Sequence, residues 1–474
     1  MKKIVLRHSL VLLPLVYLFW ILIYPNTLRW MEAMSFFSTL PDFTQLQVRY
    51  LADYPDYVGA FLLQFYRWAW LGALLQTLFA WLVMFSADVV VYRLTKRSDR
   101  MWLSFVAVGA LLAFQAQFTM LGNTLLIVVV SLVVALLTWL VTSKKDDRSN
   151  KPNLSPLHLY ILPSILIVAG CVWSYSTKEN RVRERIYRVE FLAEQGKWDK
   201  ILKVVTPEVA AQDPVRRRYA LLALLENGQL SNKMFSYGVT SSDDFFFPHS
   251  VDHIGLSFNG YFNKSLSADN EAMHSWFQLN SISRFGYSAR AMRGIVDTAL
   301  KQRDVALAEK YIRIMLSSTC HKNWVKPRIK QLSALRYEPK VENNPESDIW
   351  SVWHGEHPVV IETAGLFEAD PTNKKLADVL CCGLLASRQL PKFMNIFNYA
   401  LANAYKGIRH IPIHYEEALL LASRQDPSVL KRFPISSFKQ SEFQRFAAFM
   451  DSGNTTQAGA IYGNTYWAYH FLGR

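Results

Sequence analysis

The first 176 residues carry apolar runs of bilayer length, and beyond them apolar positions recur every three or four residues. Val11 to Ile23, Phe105 to Leu112 and Leu125 to Val141 are almost free of polar side chains. In hydrocarbon such segments must close their own backbone hydrogen bonds, which selects helix. The pattern predicts about five crossings, near 10–24, 66–92, 101–118, 123–142 and 157–175, with an external loop over 25–57. The apolar run ending at Tyr92 begins near Val58, longer than a perpendicular crossing needs, so Gly59 to Arg67 is expected to lie in the interface or to tilt. Leu121-Gly122-Asn123 permits a tight reversal.

From Arg181 onward the helical blocks are separated by turn residues. Ile186, Val189, Phe191 and Leu192 share a face, Gln195-Gly196-Lys197 ends it, and Trp198, Ile201, Leu202 and Val205 begin another. Tyr219, Leu222, Ala223 and Leu225 repeat the grammar, followed by Asn227-Gly228-Gln229 and then Leu230, Met234 and Phe235. Gly196 and Gly228 lie close to the roughly 34-residue period of a two-helix repeat apart. Further pairs are predicted at 289–300 with 306–315, at 375–385 with 391–403, and more loosely at 415–422 with 438–449. Such pairs bury their apolar faces only against neighbours, which predicts a short superhelix.

The expected fold is therefore all-α: transmembrane helices over 1–176, then a soluble tetratricopeptide-like helical-repeat solenoid over 177–474. Insertions at 240–265 and 337–370 interrupt it. Insertions in a solenoid tend to emerge on one face, so Phe245, Phe246 and Phe247 in the first and Trp350 and Trp353 in the second are candidate partner contacts. The three phenylalanines also have a structural reading, as a plug for one end of the solenoid or a rest against the membrane.

Charge changes the picture mainly through orientation. The 474-residue chain has a formal charge of +14, but its basic residues are scattered and do not form a stripe interleaved with aromatics, which argues against nucleic acid. Lys2, Lys3, Arg7, Arg93, Lys96, Arg97 and Arg100 sit beside spans, and the 144–151 connection is also basic. The 25–57 loop carries Glu32, Asp42, Asp53 and Asp56 against Arg29 and Arg49. With five crossings this places the amino terminus in the cytoplasm and the large domain on the opposite side of the membrane. The basic residues Lys178 to Arg188 oppose that order and are partly offset by Glu179, Glu184 and Glu190. Arg67 is expected to snorkel to headgroups, and Asp88 to reach water or pair with Arg93.

Little in the sequence points to chemistry. His354-Gly355-Glu356-His357 lacks the spacing of a zinc-peptidase helix, and Gly355 and Pro358 argue for a loop, so His354 and His357 are weak metal candidates. Cys171, Cys320, Cys381 and Cys382 show no ligand spacing and read as small buried side chains, with a disulfide from Cys320 to one of the adjacent pair as the alternative. No cofactor fingerprint or nucleophile elbow is present. An enzyme reading rests on Asp42, Asp53 and Asp56: glycosyltransferases acting on lipid-linked substrates place an essential acid in their first external loop. Ordinary turn chemistry after Pro41 and Pro55 explains Asp42 and Asp56 equally directly.

Several segments carry a resemblance: Tyr54 to Gly59 leading to Phe61 to Tyr66 and Trp70 to Ala73, Ala223 to Leu230 with Lys233 to Phe235, and Phe285-Gly286-Tyr287. In these the chain resembles an uncharacterised family of Bacteroidetes polytopic membrane proteins that carries a domain-of-unknown-function designation. The resemblance implies no catalytic residue and no cofactor. The sequence as a whole favours a membrane-anchored periplasmic scaffold or binding module. Its expected partners are the lipid bilayer and a membrane or periplasmic protein, or an envelope polymer.

Overall fold

The computed structural model describes residues 2–117, 121–142, 155–248, 250–283, 286–337 and 358–473, and among these every regular element is helical. Two compact units result. One comprises Met1–Arg188 with Asn280–Arg336, the other Val189–Leu279 with Tyr337–Arg474. The division therefore does not fall at the expected boundary near 176. The helices of 280–336 look like soluble repeat in sequence, yet they belong to the unit that holds the apolar spans.

In the first unit four helices are long and apolar enough to cross a membrane: Lys3–Ile23, Ala69–Thr95, Leu121–Val141 and Leu157–Ser176. Ser104–Gln117 has 14 residues, about 21 Å against a hydrocarbon thickness of about 30 Å. It nevertheless runs between the same two ends of the bundle. At one end Ile4, Met101 and Leu159 share a core, and the Arg93 guanidinium lies over the Trp139 ring and donates to the Thr142 carbonyl at 3.5 Å. At the other end Gln115 Nε2 donates to Gln76 Oε1 at 2.8 Å, and the Tyr24 hydroxyl donates to the Ser174 carbonyl at 3.1 Å.

Small residues set the helix spacing. A Cβ on Gly170 would stand 2.9 Å from the Gly109 Cα, so these two backbones touch, as is common where helices pack in lipid. The segment expected at the interface packs against protein instead. Tyr54–Leu63 is a helix lying on Leu121–Val141, with a Cβ on Gly59 only 3.1 Å from the Gly122 nitrogen. Extended backbone at Trp68 then separates it from the crossing that begins at Ala69.

The second unit is built from helices that pack on their sequence neighbours. Pro214–Glu226 and Lys374–Ala386 lie at its centre, the latter buried without interruption from Leu376 to Ala386. The predicted hairpin at 375–403 is present as Lys374–Ala386 and Leu390–Ala402, and 415–422 lies within Ile413–Ser423. The breaks at Gly196 and Gly228 have φ of +64° and +63°, the left-handed backbone that glycine adopts most easily. In the first unit the 289–315 pair forms Ala289–Lys301 and Val305–Leu316, with Asp304 accepting from the Leu307 N–H at 2.9 Å.

The 240–265 insertion does not project as a loop. His253–Leu266 is a helix, and the segment before it is pinned to Pro214–Glu226 by Arg217, which pairs with Asp244 at 2.7 Å, and by Arg218, which donates to the Phe246 and Asp243 carbonyls. Phe245 and Phe246 are consequently core residues, 2% and 1% exposed, and not partner contacts. Phe247 is half-buried under the Arg218 guanidinium. Trp350 and Trp353 lie outside the described residues.

Candidate functional site

The loop between the first two apolar helices is the structural hub of the first unit. Pro25–Ala33 is a helix whose leading N–H groups need acceptors, and Glu184 supplies them. Its carboxylate accepts from the Asn26 and Thr27 backbone at 3.0 and 2.8 Å, and from their side chains at 2.7 Å each. Burial raises the Glu184 pKa, with those four hydrogen bonds opposing the shift. At the other end of the helix the Ala33 carbonyl accepts from Ser288 Oγ, and the Ser35 carbonyl from the Ala289 N–H.

The contact continues along the chain. Ser38 bonds Ser317 at 2.6 Å, and Gln64 Oε1 accepts from Ser318 and Thr319 at 2.8 and 3.0 Å. Arg67, expected at the headgroups, instead donates to the Cys320 carbonyl at 3.2 Å. Cys320 lies in the connection between Val305–Leu316 and Lys322–Tyr337, and its carbonyl is a fixed acceptor that lipid does not offer. Beside it His321 is 1% exposed, stacks on Phe36, and has Nε2 3.5 Å from Glu32 Oε1. Burial, together with the positive Arg293 and Arg67, holds this imidazole well below its ordinary pKa, so it is neutral near pH 7.

Next to this hub an alcove opens among the helix ends, with about 490 Å³ of empty space that runs out into open solvent. Trp20, Tyr24 and Tyr187 form aromatic walls, and Met31 adds an apolar patch. The amides of Gln76, Gln115 and Asn180 and the hydroxyls of Thr27 and Thr124 line the remainder, with Arg183 as the charged residue among them. Asn180 is oriented by its bond to the Ser174 carbonyl. Nothing in the sequence groups these residues into one site, because they come from six separate helices.

Neither Asp53 nor Asp56 lines this alcove. Asp53 accepts from the Arg49 and Tyr50 backbone N–H groups at 3.0 and 2.9 Å, closing the turn before Tyr54–Leu63. Asp56 sits against the start of Leu121–Val141: a Cβ on Gly122 would fall on its carboxylate, which leaves glycine as the residue that fits there. The side chain of Asp42 lies outside the described residues, as do His354 and His357. Among the described residues no three His, Cys, Asp or Glu side chains are grouped to hold a metal ion.

Two buried aspartates elsewhere have structural partners. Asp88, expected to meet water or Arg93, is fully buried and faces His8 at 3.3 Å, because its helix turns that position into the bundle. In the second unit Asp378 accepts from Tyr405 and Tyr415 at 2.5 and 3.1 Å. All four cysteines are free; burial pushes the thiols of Cys381 and Cys382 well above their ordinary pKa, which keeps them protonated and unreactive.

Glu362 provides a titration test. Burial, reinforced by Glu271, pushes its carboxyl up to about 8, and its Oε1 has no hydrogen-bond partner among the described residues. A carboxyl with a raised folded-state pKa binds its proton more tightly when folded, so the second unit should lose stability as pH rises from about 4.5 to about 8. Glu362→Gln should stabilise the unit at pH 8, by about 1–2 kcal/mol after solvent screening, and much less at pH 5. Melting curves of the two proteins at both pH values check this.

The apolar helices and the extramembrane helices docked on their connecting loop define a polytopic α-helical membrane protein with a large helical region outside the spans. The chain belongs to the family of unknown function DUF6057, whose model matches residues 2–175 and 149–473. No curated protein and no solved structure matches it.

Proposed function

We propose that this chain is a membrane-anchored scaffold or binding module: its extramembrane helices, arranged like tetratricopeptide repeats on the periplasmic side of a bacterial inner membrane, hold an envelope protein or polymer. The observation that carries this reading is the hub of the first unit. The loop that would house the acid of a lipid-linked glycosyltransferase is instead used to fix the 280–336 helices, through Ser288, Ser317, Ser318, Thr319 and Cys320. A rigid joint of this kind suits a protein that keeps a binding surface at the bilayer and so raises the local concentration of a membrane-associated partner. The bundle geometry favours the stated orientation: Arg93 meets Thr142, so both basic connections begin at the end that holds Ile4.

The test is site-directed crosslinking in native membranes from the exposed side chain of Phe438, with Asp53→Asn and Asp56→Asn made in parallel. A defined crosslinked species should persist in both aspartate variants, and its absence in the parent would remove the support for this reading. Loss of a lipid-linked sugar transfer activity in either aspartate variant, at normal protein level, would replace this reading with the enzyme. Protease protection in intact spheroplasts reads the side of the large domain.

A further inference from the structure

We propose that the alcove in the first unit binds a polyol phosphate group: a phosphate ester that also presents a free hydroxyl, as in a glycerol-phosphate headgroup. Its chemistry is selective. Gln115 spends its Nε2 donor on Gln76, and its Oε1 is left without a partner although the residue is only 6% exposed. Trp20, 3% exposed, likewise has an indole N–H with no acceptor. A buried acceptor and a buried donor left open on one cavity are each costly, and native proteins rarely leave them so. A hydroxyl is the small group that meets both needs, donating to the amide oxygen and accepting from the indole, whereas a bare phosphate or carboxylate oxygen satisfies the indole alone.

The anion is read from the mouth. Arg183 is exposed and is the one charged residue of the lining. The carboxylate next to it in sequence, Glu184, is committed to Asn26 and Thr27 and leaves the alcove without a competing negative charge. A guanidinium fork takes a phosphate through two parallel N–H bonds. Gln76 lies seven positions past the start of its helix at Ala69, about 10 Å down the axis. The ligand would thus enter hydroxyl first, with its phosphate held at Arg183.

Such a group can come from a bilayer lipid or from solution, and full-length protein in nanodiscs separates the two. Native mass spectrometry would compare retention of phosphatidylglycerol with that of phosphatidylserine, which is anionic without a polyol, in a phosphatidylcholine background. A thermal-shift titration with glycerol 1-phosphate covers the soluble source. We expect preferential retention of phosphatidylglycerol, saturable stabilisation by glycerol 1-phosphate, or both. The effect should fall about tenfold in Arg183→Ala and also in Trp20→Phe, which removes the N–H while keeping an aromatic wall. Equal retention of the two lipids with no response to glycerol 1-phosphate would overturn the proposal. So would a preference that both variants leave unchanged in protein that melts like the parent.

Discussion

Glu417→Ala is expected to destabilise the second unit by about 3–5 kcal/mol, a fall in melting temperature on the order of 10 °C. The carboxylate is 1% exposed and works as a three-way joint. It meets His414 Nδ1 at 2.9 Å and Lys439 Nζ at 3.1 Å, and accepts from the Tyr466 N–H at 2.8 Å, tying three helices together. Alanine would leave an imidazole and a backbone N–H facing a void and Lys439 with Glu442 as its remaining carboxylate, and stranded groups of this kind cost more than the original contacts contribute. Glu417→Gln keeps a neutral acceptor and should lose less. Burial acts to raise this carboxyl's pKa, but His414, Lys439 and the Tyr466 N–H together hold it below the ordinary value. Its contribution is therefore complete above about pH 4.5 and is lost as pH falls further, a dependence that Glu417→Ala should lack. A melting profile of Glu417→Ala within about 1 kcal/mol of the parent would show that the joint is not what holds these helices.

His8→Ala should damage the membrane bundle to a similar extent, for a different reason. His8 and Asp88 are 1% and 0% exposed, and Asp88 Oδ1 finds no hydrogen-bond partner among the described residues. The imidazole at 3.3 Å is the group that makes this acid tolerable between apolar helices. Without it the carboxyl is stranded, at about 3–5 kcal/mol. The double variant His8→Ala with Asp88→Ala should recover much of that loss, since neither charge nor partner is left behind. Thermal unfolding of the four proteins in nanodiscs measures the coupling. A double variant as unstable as the two single losses combined would show that the residues act independently.

Local pattern made much of the fold legible. The apolar runs, the breaks at Gly196 and Gly228 and the hairpin at 375–403 are stretches in which each residue reports on its near neighbours in sequence. What stayed hidden depends on pairing across distance. Glu184 on Asn26, Gln115 on Gln76 and His8 on Asp88 join positions that no periodicity connects. Asp53 and Asp56 show the same limit from the other side: their place in an acidic loop is visible, but only the Arg49 and Tyr50 N–H groups show that Asp53 closes a turn, and only the fold sets Asp56 against Gly122. Whether Phe245 and Phe246 plug the solenoid or meet a partner stayed open in the sequence because Arg217 and Arg218, which fold the segment inward, lie some way upstream.

The chain visits its first unit twice, through residue 188 and again from 280 to 336. During synthesis the spans are therefore finished long before the polypeptide that seals Glu32, Gln64 and Arg67 has left the ribosome, and in that interval the loop stands open to chaperones or proteases. A truncation at the end of the last apolar helix would make the interval permanent. Conversely, a water-soluble fragment begun there would carry Ser288 to His321 with their seat missing, and recombinant production of either half is best judged with that exposed seam in mind.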